Sequence, residues 1–109
     1  KEEKLKVKKQ LQSELNRIYE QIQSYRYSWP FKKPVDTDIV TDYLDVIKCP
    51  IDLTKIKQKI DQKSYQSKNE MQKDVELMCK NCKNYNSSAS EYFKAAEYLL
   101  KYSKRIFRS

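Results

Sequence analysis

The chain has 109 residues, 23 Lys and Arg against 15 Asp and Glu for a net charge of +8, and neither His nor Gly; this length fits one domain and excludes a two-domain enzyme. Without Gly, phosphate-cradling loops, dinucleotide fingerprints and Ca²⁺ loops lack the residue that lets backbone approach a ligand or take φ > 0, and without His the His-dependent triads and usual zinc sites cannot be assembled. Leu, Ile, Val and Phe number only 24, so nine Tyr and one Trp must supply much of the core volume.

From Lys1 to about Tyr25 the apolar residues Val7, Leu11, Leu15, Ile18, Ile22 and Tyr25 recur every three or four positions, the period of one helix face. The stretch Ser28 to Pro50 holds all three prolines and no sustained period, which predicts a long connection. It carries Trp29, Phe31, Val35, Val40 and Tyr43, and a loop of this length in a small domain is usually functional. Asp52 can then cap a short helix with Leu53, Ile56 and Ile60 on its apolar face. Ser67-Lys68-Asn69-Glu70 has capping-box spacing and opens a third helix with Met71, Val75, Met78, Cys82 and Tyr85 on one side. Ser88-Ala89-Ser90-Glu91 repeats the spacing before a fourth, with Tyr92, Ala95 or Ala96, Leu99 and Ile106. The expected fold is all-α: a four-helix bundle with a long loop between helices one and two, packed against one end to bury its aromatics.

Cys49, Cys79 and Cys82 are an odd set without the density of a disulfide scaffold, so free thiols in a reducing compartment are expected. Cys79 and Cys82 have the spacing of half a zinc site or a redox pair, but with no second pair and a helical setting they read as buried or half-buried thiols. No apolar run approaches a membrane span and the lysine-rich start lacks the apolar stretch of a signal peptide, which leads to the expectation of a soluble intracellular monomer with no membrane partner. A start at Lys1 without Met reads as a single domain, residues 1–109, of a larger protein. The basic residues crowd the start (Lys1, Lys4, Lys6, Lys8, Lys9) and the end (Lys101, Lys104, Arg105, Arg108). Such runs ordinarily mark a solvated helix face; the alternative is a weak contact of these ends with DNA phosphate.

Five ordered strings, Trp29-Pro30-Phe31, Pro34-Val35-Asp36, Asp42-Tyr43, Pro50-Ile51-Asp52-Leu53 and Asn81-Cys82-Lys83-Asn84-Tyr85-Asn86, resemble the bromodomain, the acetyl-lysine reader, over nearly the whole chain. The loop spacing and Ser90-Glu91-Tyr92 resemble bromodomains attached to histone acetyltransferases, and the span from Val35 to Tyr43 also resembles those of nuclear ATPases. The resemblance implies a left-handed bundle and a site in which Asn86 donates to the acetyl oxygen and Tyr43 reaches it through a water. It further implies that Val35 and Val40 wall the pocket, Pro30 and Phe31 form its shelf and floor, Tyr85 its aromatic side and Tyr92 its gatekeeper, with Ile51 and Cys82 beneath. Two positions depart from the family pattern: Ile51 stands where Met is commoner, and Thr41 replaces a frequent proline. Trp29 reads as structural.

For each residue alone a plainer role exists. Asn86 is a natural left-handed helix cap in a chain without Gly, Tyr43 a packed ring whose hydroxyl finds a partner, and Tyr92 an ordinary apolar-face residue. The expected function is recognition of acetylated lysine, on histone tails, by a nuclear chromatin protein, with no catalytic residues, metal or cofactor. The alternative is a basic helical module for nucleic acid, or a scaffold, that does not read acetylation.

Overall fold

In a computed structural model the backbone is described for residues 2–108 and side chains for residues 6–108. Five α-helices and one 3-10 turn follow in order: α1 Glu2–Ser24, the 3-10 turn Arg26–Phe31, the one-turn α2 Tyr43–Val46, α3 Leu53–Asp61, α4 Lys68–Tyr85 and α5 Glu91–Arg108. The four long helices form the expected bundle. α1 packs on α3, α4 and α5, α4 packs on both α3 and α5, and the 3-10 turn lies against α5. Leu15, Ile18, Ile22, Leu53, Ile56, Ile60, Met71, Val75, Met78, Cys79, Ala96 and Leu99 make one continuous buried core.

Helix one departs from expectation at its start. Val7 is 62% exposed, residues 6–10 are all exposed, and among the described side chains the first fully buried position is Leu15, so these turns of the helix do not pack into the core. The other end is closed by Ser28: this wholly buried side chain donates to the Ile22 carbonyl at 2.6 Å, supplying a terminal acceptor with a partner. Tyr25 lies just past the helix, its ring stacked on Tyr102 with centroids 4.0 Å apart.

Asp52 caps α3 as expected, accepting from the backbone N–H of Thr54 at 3.1 Å and of Lys55 at 3.4 Å. Ser67 accepts from the Glu70 N–H at 3.3 Å, but Glu70 returns its carboxylate to Gln66 N–H at 2.6 Å, one residue earlier than a regular box places it. For α5 the cap is Ser90, not Ser88. A turn first closes from Ser90 N–H to the Ser87 carbonyl, after which Ser90 Oγ accepts from Tyr92 N–H at 3.1 Å. Ala95 and Ala96 are both buried, Ile106 is partly buried, and the core extends to Phe107.

The end of α3 carries the one non-glycine residue with positive φ among those described, Lys63 at 58°. Its N–H bonds to Ile60 O and that of Ser64 to Lys59 O, the paired pattern that closes a helix through a left-handed residue. A second bridge, not visible in the pattern of the sequence, joins α3 to α4: Asp74 accepts at 2.6 Å from both Lys59 Nζ and the hydroxyl of buried Tyr65.

Candidate functional site

The segment between α1 and α3 is less irregular than its sequence suggests. Trp29, Pro30 and Phe31 lie in the 3-10 turn, and Tyr43 opens α2; both pieces are too short to show a helical period. Phe31, Tyr43 and Ile47 are buried and anchor the segment to the bundle, whereas Trp29 stays 47% exposed. Its ring tilts on Tyr92 at 4.9 Å, so Trp29 borders the rim and does not fill the core as expected.

Besides the Ser28 bond to α1, three side-chain hydrogen bonds pin this segment to α3 and α4. Thr54 Oγ1 donates to the Lys32 carbonyl at 3.2 Å, Tyr85 Oη to Asp42 Oδ1 at 2.5 Å, and Asn81 Nδ2 to the Cys49 carbonyl at 2.8 Å. Between the pins the backbone closes on itself: Val40 N–H bonds to Asp36 O and Tyr43 N–H to Val40 O, so the turn around Thr41 forms without a proline.

The segment and the ends of α4 and α5 enclose a cavity of about 590 Å³, within the range of small-ligand sites. The structure brings all ten site residues of the sequence analysis together around it. Pro30, Phe31, Val35 and Val40 come from the loop side, Tyr43 from α2, and Ile51 from the approach to α3. Cys82, Tyr85 and Asn86 come from the end of α4 and Tyr92 from the start of α5. Sequence reasoning missed Met78, Pro34, Ile39 and Leu44 in the lining. Met78 sits one turn before Cys82 on the same helix face, a signal that assigned it to the core alone. Asn81, the pin to Cys49, stood in a quoted string without a role.

The lining is mostly hydrocarbon, and the amide of Asn86 within it is held by a hydrogen bond. Asn86 occupies the cap position of α4 with extended backbone, φ −99° and ψ 149°, not the left-handed conformation its residue type permits. Its Nδ2 donates to the Cys82 carbonyl at 3.0 Å, and Cys82 Sγ lies 3.6 Å from the same nitrogen. The first bond orients the amide, and the second is to a weak acceptor. The rings of Tyr43 and Tyr85 meet edge to face with centroids 5.0 Å apart. Burial pushes the Tyr43 hydroxyl above its ordinary value, and the hydrogen bond to Asp42 does the same for Tyr85.

Cys82 Sγ donates to the Tyr92 carbonyl at 3.3 Å, and burial raises its thiol to about 11; Cys79, more deeply placed, is raised to about 12 by burial. Both are protonated side chains packed in the bundle. Cys49 is exposed. Among the described residues no cluster of His, Cys, Asp or Glu could hold a metal ion. Two carboxylates do border the cavity, Asp36 and Asp52, each engaged with backbone N–H groups, of Asp38 and of Thr54 and Lys55. Among the described residues no helix is long and apolar enough to cross a membrane.

The arrangement, an apolar slot between an interhelical loop and two helix ends with one oriented amide, coincides with a family match: the bromodomain profile fits residues 11–98. The chain belongs to the bromodomain family. Bromodomains are acetyl-lysine-reading modules of chromatin-associated proteins, and the domain itself binds and does not catalyse. This bromodomain is 39% identical over 89 residues to the Drosophila melanogaster transcription initiation factor TFIID subunit 1, covering 82% of this chain and 4% of that protein. It is 34% identical over 88 residues to the Yarrowia lipolytica histone acetyltransferase GCN5, covering 81% of this chain and 19% of the relative. The bromodomain of human BAZ1A superimposes with a TM-score of 0.84 at 32% identity, over 88% of this chain and 90% of that one. The chain thus spans no more than about a fifth of the length of these curated relatives, and matches the solved bromodomain nearly end to end.

Proposed function

We propose that this bromodomain binds acetylated lysine on histone tails, as a monomeric reading module within a nuclear chromatin or transcription protein. The observation that carries the reading is Asn86: an amide donor held in place by its bond to the Cys82 carbonyl and lining a mostly apolar cavity. Acetylation turns an ammonium into a neutral amide with one acceptor, one donor and a methyl group. Burying the charged form in a mostly apolar slot costs several kcal/mol, because a desolvated ammonium gives up its water and needs partners for all three of its N–H groups. The amide asks only for a donor to its oxygen, which Asn86 Nδ2 supplies by exchanging the weak Cys82 Sγ contact for a carbonyl. Tyr43, buried beside it, holds the same oxygen through a bridging water.

A basic peptide is supported by the charge around the opening. The chain is basic overall, yet residues 34–47 carry Asp36, Asp38, Asp42 and Asp45 and no Lys or Arg; of the charged residues lining the cavity, Asp36 and Asp52 are acidic and Lys33 is basic, so a tail rich in Lys and Arg meets a rim of net negative charge. Eight heavy atoms from the lysine Cβ to the acetyl methyl, at about 0.5 to 0.7 kcal/mol each, give about 4 to 6 kcal/mol, or millimolar to tens of micromolar affinity for one mark. The relatives named for transcription initiation and histone acetylation support the chromatin setting. An array of histone-tail peptides in acetylated and unmodified forms tests the proposal: acetylated peptides should bind and their unmodified counterparts should not. Equal binding of the two forms overturns it.

A further inference from the structure

The outward face of α5 carries charge in a pattern that the cavity does not use. Glu91, Lys94, Tyr98, Lys101, Arg105 and Arg108 are all exposed and recur at alternating intervals of three and four, so they form one stripe along the helix. From Lys94 to Arg108 it runs about 21 Å. Tyr98 stacks on Tyr27 of the 3-10 turn at 4.5 Å, and the Arg26 guanidinium lies 5.1 Å over the Tyr27 ring, bringing a fifth cation beside the stripe. Tyr25, next to Arg26 in the chain, stacks on Tyr102 of α5 at 4.0 Å, and the 3-10 turn that begins at Arg26 lies against α5, so Arg26 sits beside that helix.

Among the described residues no ion pair engages these cations. The ion pairs found there engage Lys57, Lys59, Lys68 and Lys83, and the one carboxylate flanking the stripe along its length, Glu97, is taken by Lys83 at 3.6 Å. Favourable interaction with the helix dipole accounts for Arg105 and Arg108 in the last turn but not for Lys94, Lys101 or Arg26. The basic start of the chain shows no such order: Lys6, Lys8 and Lys9 are exposed but point around α1, while the side chains of Lys1 and Lys4 lie outside the described residues.

We propose that the α5 stripe lies along the phosphate backbone of double-stranded DNA. A rigid helix with cations at Lys94, Lys101, Arg105 and Arg108 along one side, and Arg26 beside Tyr98 in the gap, presents a straight row of charge, which suits a stiff duplex. The stacked pair Tyr27 and Tyr98 is engaged ring on ring, so the surface offers charge to phosphates more than platforms to unpaired bases. The site is independent of the acetyl-lysine cavity.

The test is a titration of a fluorescently labelled duplex of about 20 base pairs at 50 and 200 mM salt. Four phosphate contacts give a slope of log affinity on log salt of about −3.6, and hence about 150-fold weaker binding at the higher salt. The K101Q/R105Q variant should flatten the slope by about 2. The control K55Q/K63Q changes exposed lysines on and just after α3, whose main packing partners are α1 and α4, and should leave the slope unaltered. Equal losses in the two variants, or equally tight binding of single-stranded DNA or polyglutamate, would overturn the proposal. Acetyl-peptide affinity, read on the same proteins, should not change in K101Q/R105Q, so failure of the DNA contact and failure of the cavity reading are told apart.

Discussion

Replacement of Asn86 by Ala separates the site from the scaffold. The substitution removes Nδ2 and with it two interactions of different kinds. In the ligand complex, the acetyl oxygen loses its donor inside an apolar slot, at a cost of about 1 to 3 kcal/mol, or about 5- to 160-fold in affinity. In the free protein, the Cys82 carbonyl loses the 3.0 Å bond from Nδ2 but keeps the backbone bond from Asn86 N–H at 3.1 Å. That carbonyl is therefore never orphaned, and the stability cost falls at the low end of the usual 0.5 to 1.5 kcal/mol for one hydrogen bond. The extended backbone of Asn86 suits Ala equally well, so no strain is added. Calorimetric titration with an acetylated histone peptide, beside a thermal melt, should show a large loss of binding with a shift in Tm of a few degrees at most. Asn86→Asp, which keeps the shape and replaces a donor by an acceptor, should lose at least as much affinity. Retention of affinity within twofold in both variants would refute the assignment of Asn86 as the donor.

Tyr43→Phe should weaken acetyl-peptide binding less than Asn86→Ala, by about 0.5 to 1.5 kcal/mol, since the bridging water can find another partner; the same titration measures it. Lys63→Gly should raise stability by about 0.5 to 1 kcal/mol, because φ of 58° costs a residue with a side chain more than the added freedom of unfolded Gly takes back; urea midpoints compared at fixed m-value decide it. Stability should fall on the alkaline side. Cys79 and Cys82 have folded values of about 12 and about 11 against an ordinary 9.0, so the unfolded chain ionises first. The contribution is complete below pH 9 and is lost as pH rises toward 11 to 12, at up to about 1.4 kcal/mol per pH unit for each thiol. Urea midpoints from pH 8 to 11 should decline, and Cys79→Ala should flatten part of that decline.

What the sequence discloses is set by length scale. Periods of three and four over many residues revealed the four long helices, and Asp52 and Ser67 marked their starts because a cap has a local chemical signature. The 3-10 turn and α2 are shorter than any period, and the Ser28 bond to Ile22, the Tyr65–Asp74–Lys59 bridge and the Asn81 pin to Cys49 join residues that only folding brings together. Local chemistry could also mislead: Ser88 and Ser90 both suit a cap, and the turn at Ser87 selects the second. Convergence of the ten site residues on one cavity followed from a resemblance in ordered strings and not from periodicity. The extended backbone of Asn86 and the exposure of Trp29 were visible in neither.

Net charge illustrates why composition alone misjudges partners. A value of +8 argues against a basic ligand only if the charge is spread evenly, and it is not. Residues 34–47 hold four Asp and no cation, the cavity lining contains Asp36, Asp52 and Lys33, and the cations of α5 lead away from it. Lys101 is nine residues beyond Tyr92, about 14 Å along the helix, further than the screening length of about 8 Å at physiological salt. A basic tail at the cavity therefore interacts with the loop carboxylates, with Lys33 and with Lys94, and scarcely with Lys101, Arg105 or Arg108. The two ends of α5 can accordingly serve ligands of opposite charge, with the tail's cations held at one and phosphates at the other, and neither contact has to be weakened for the other to form.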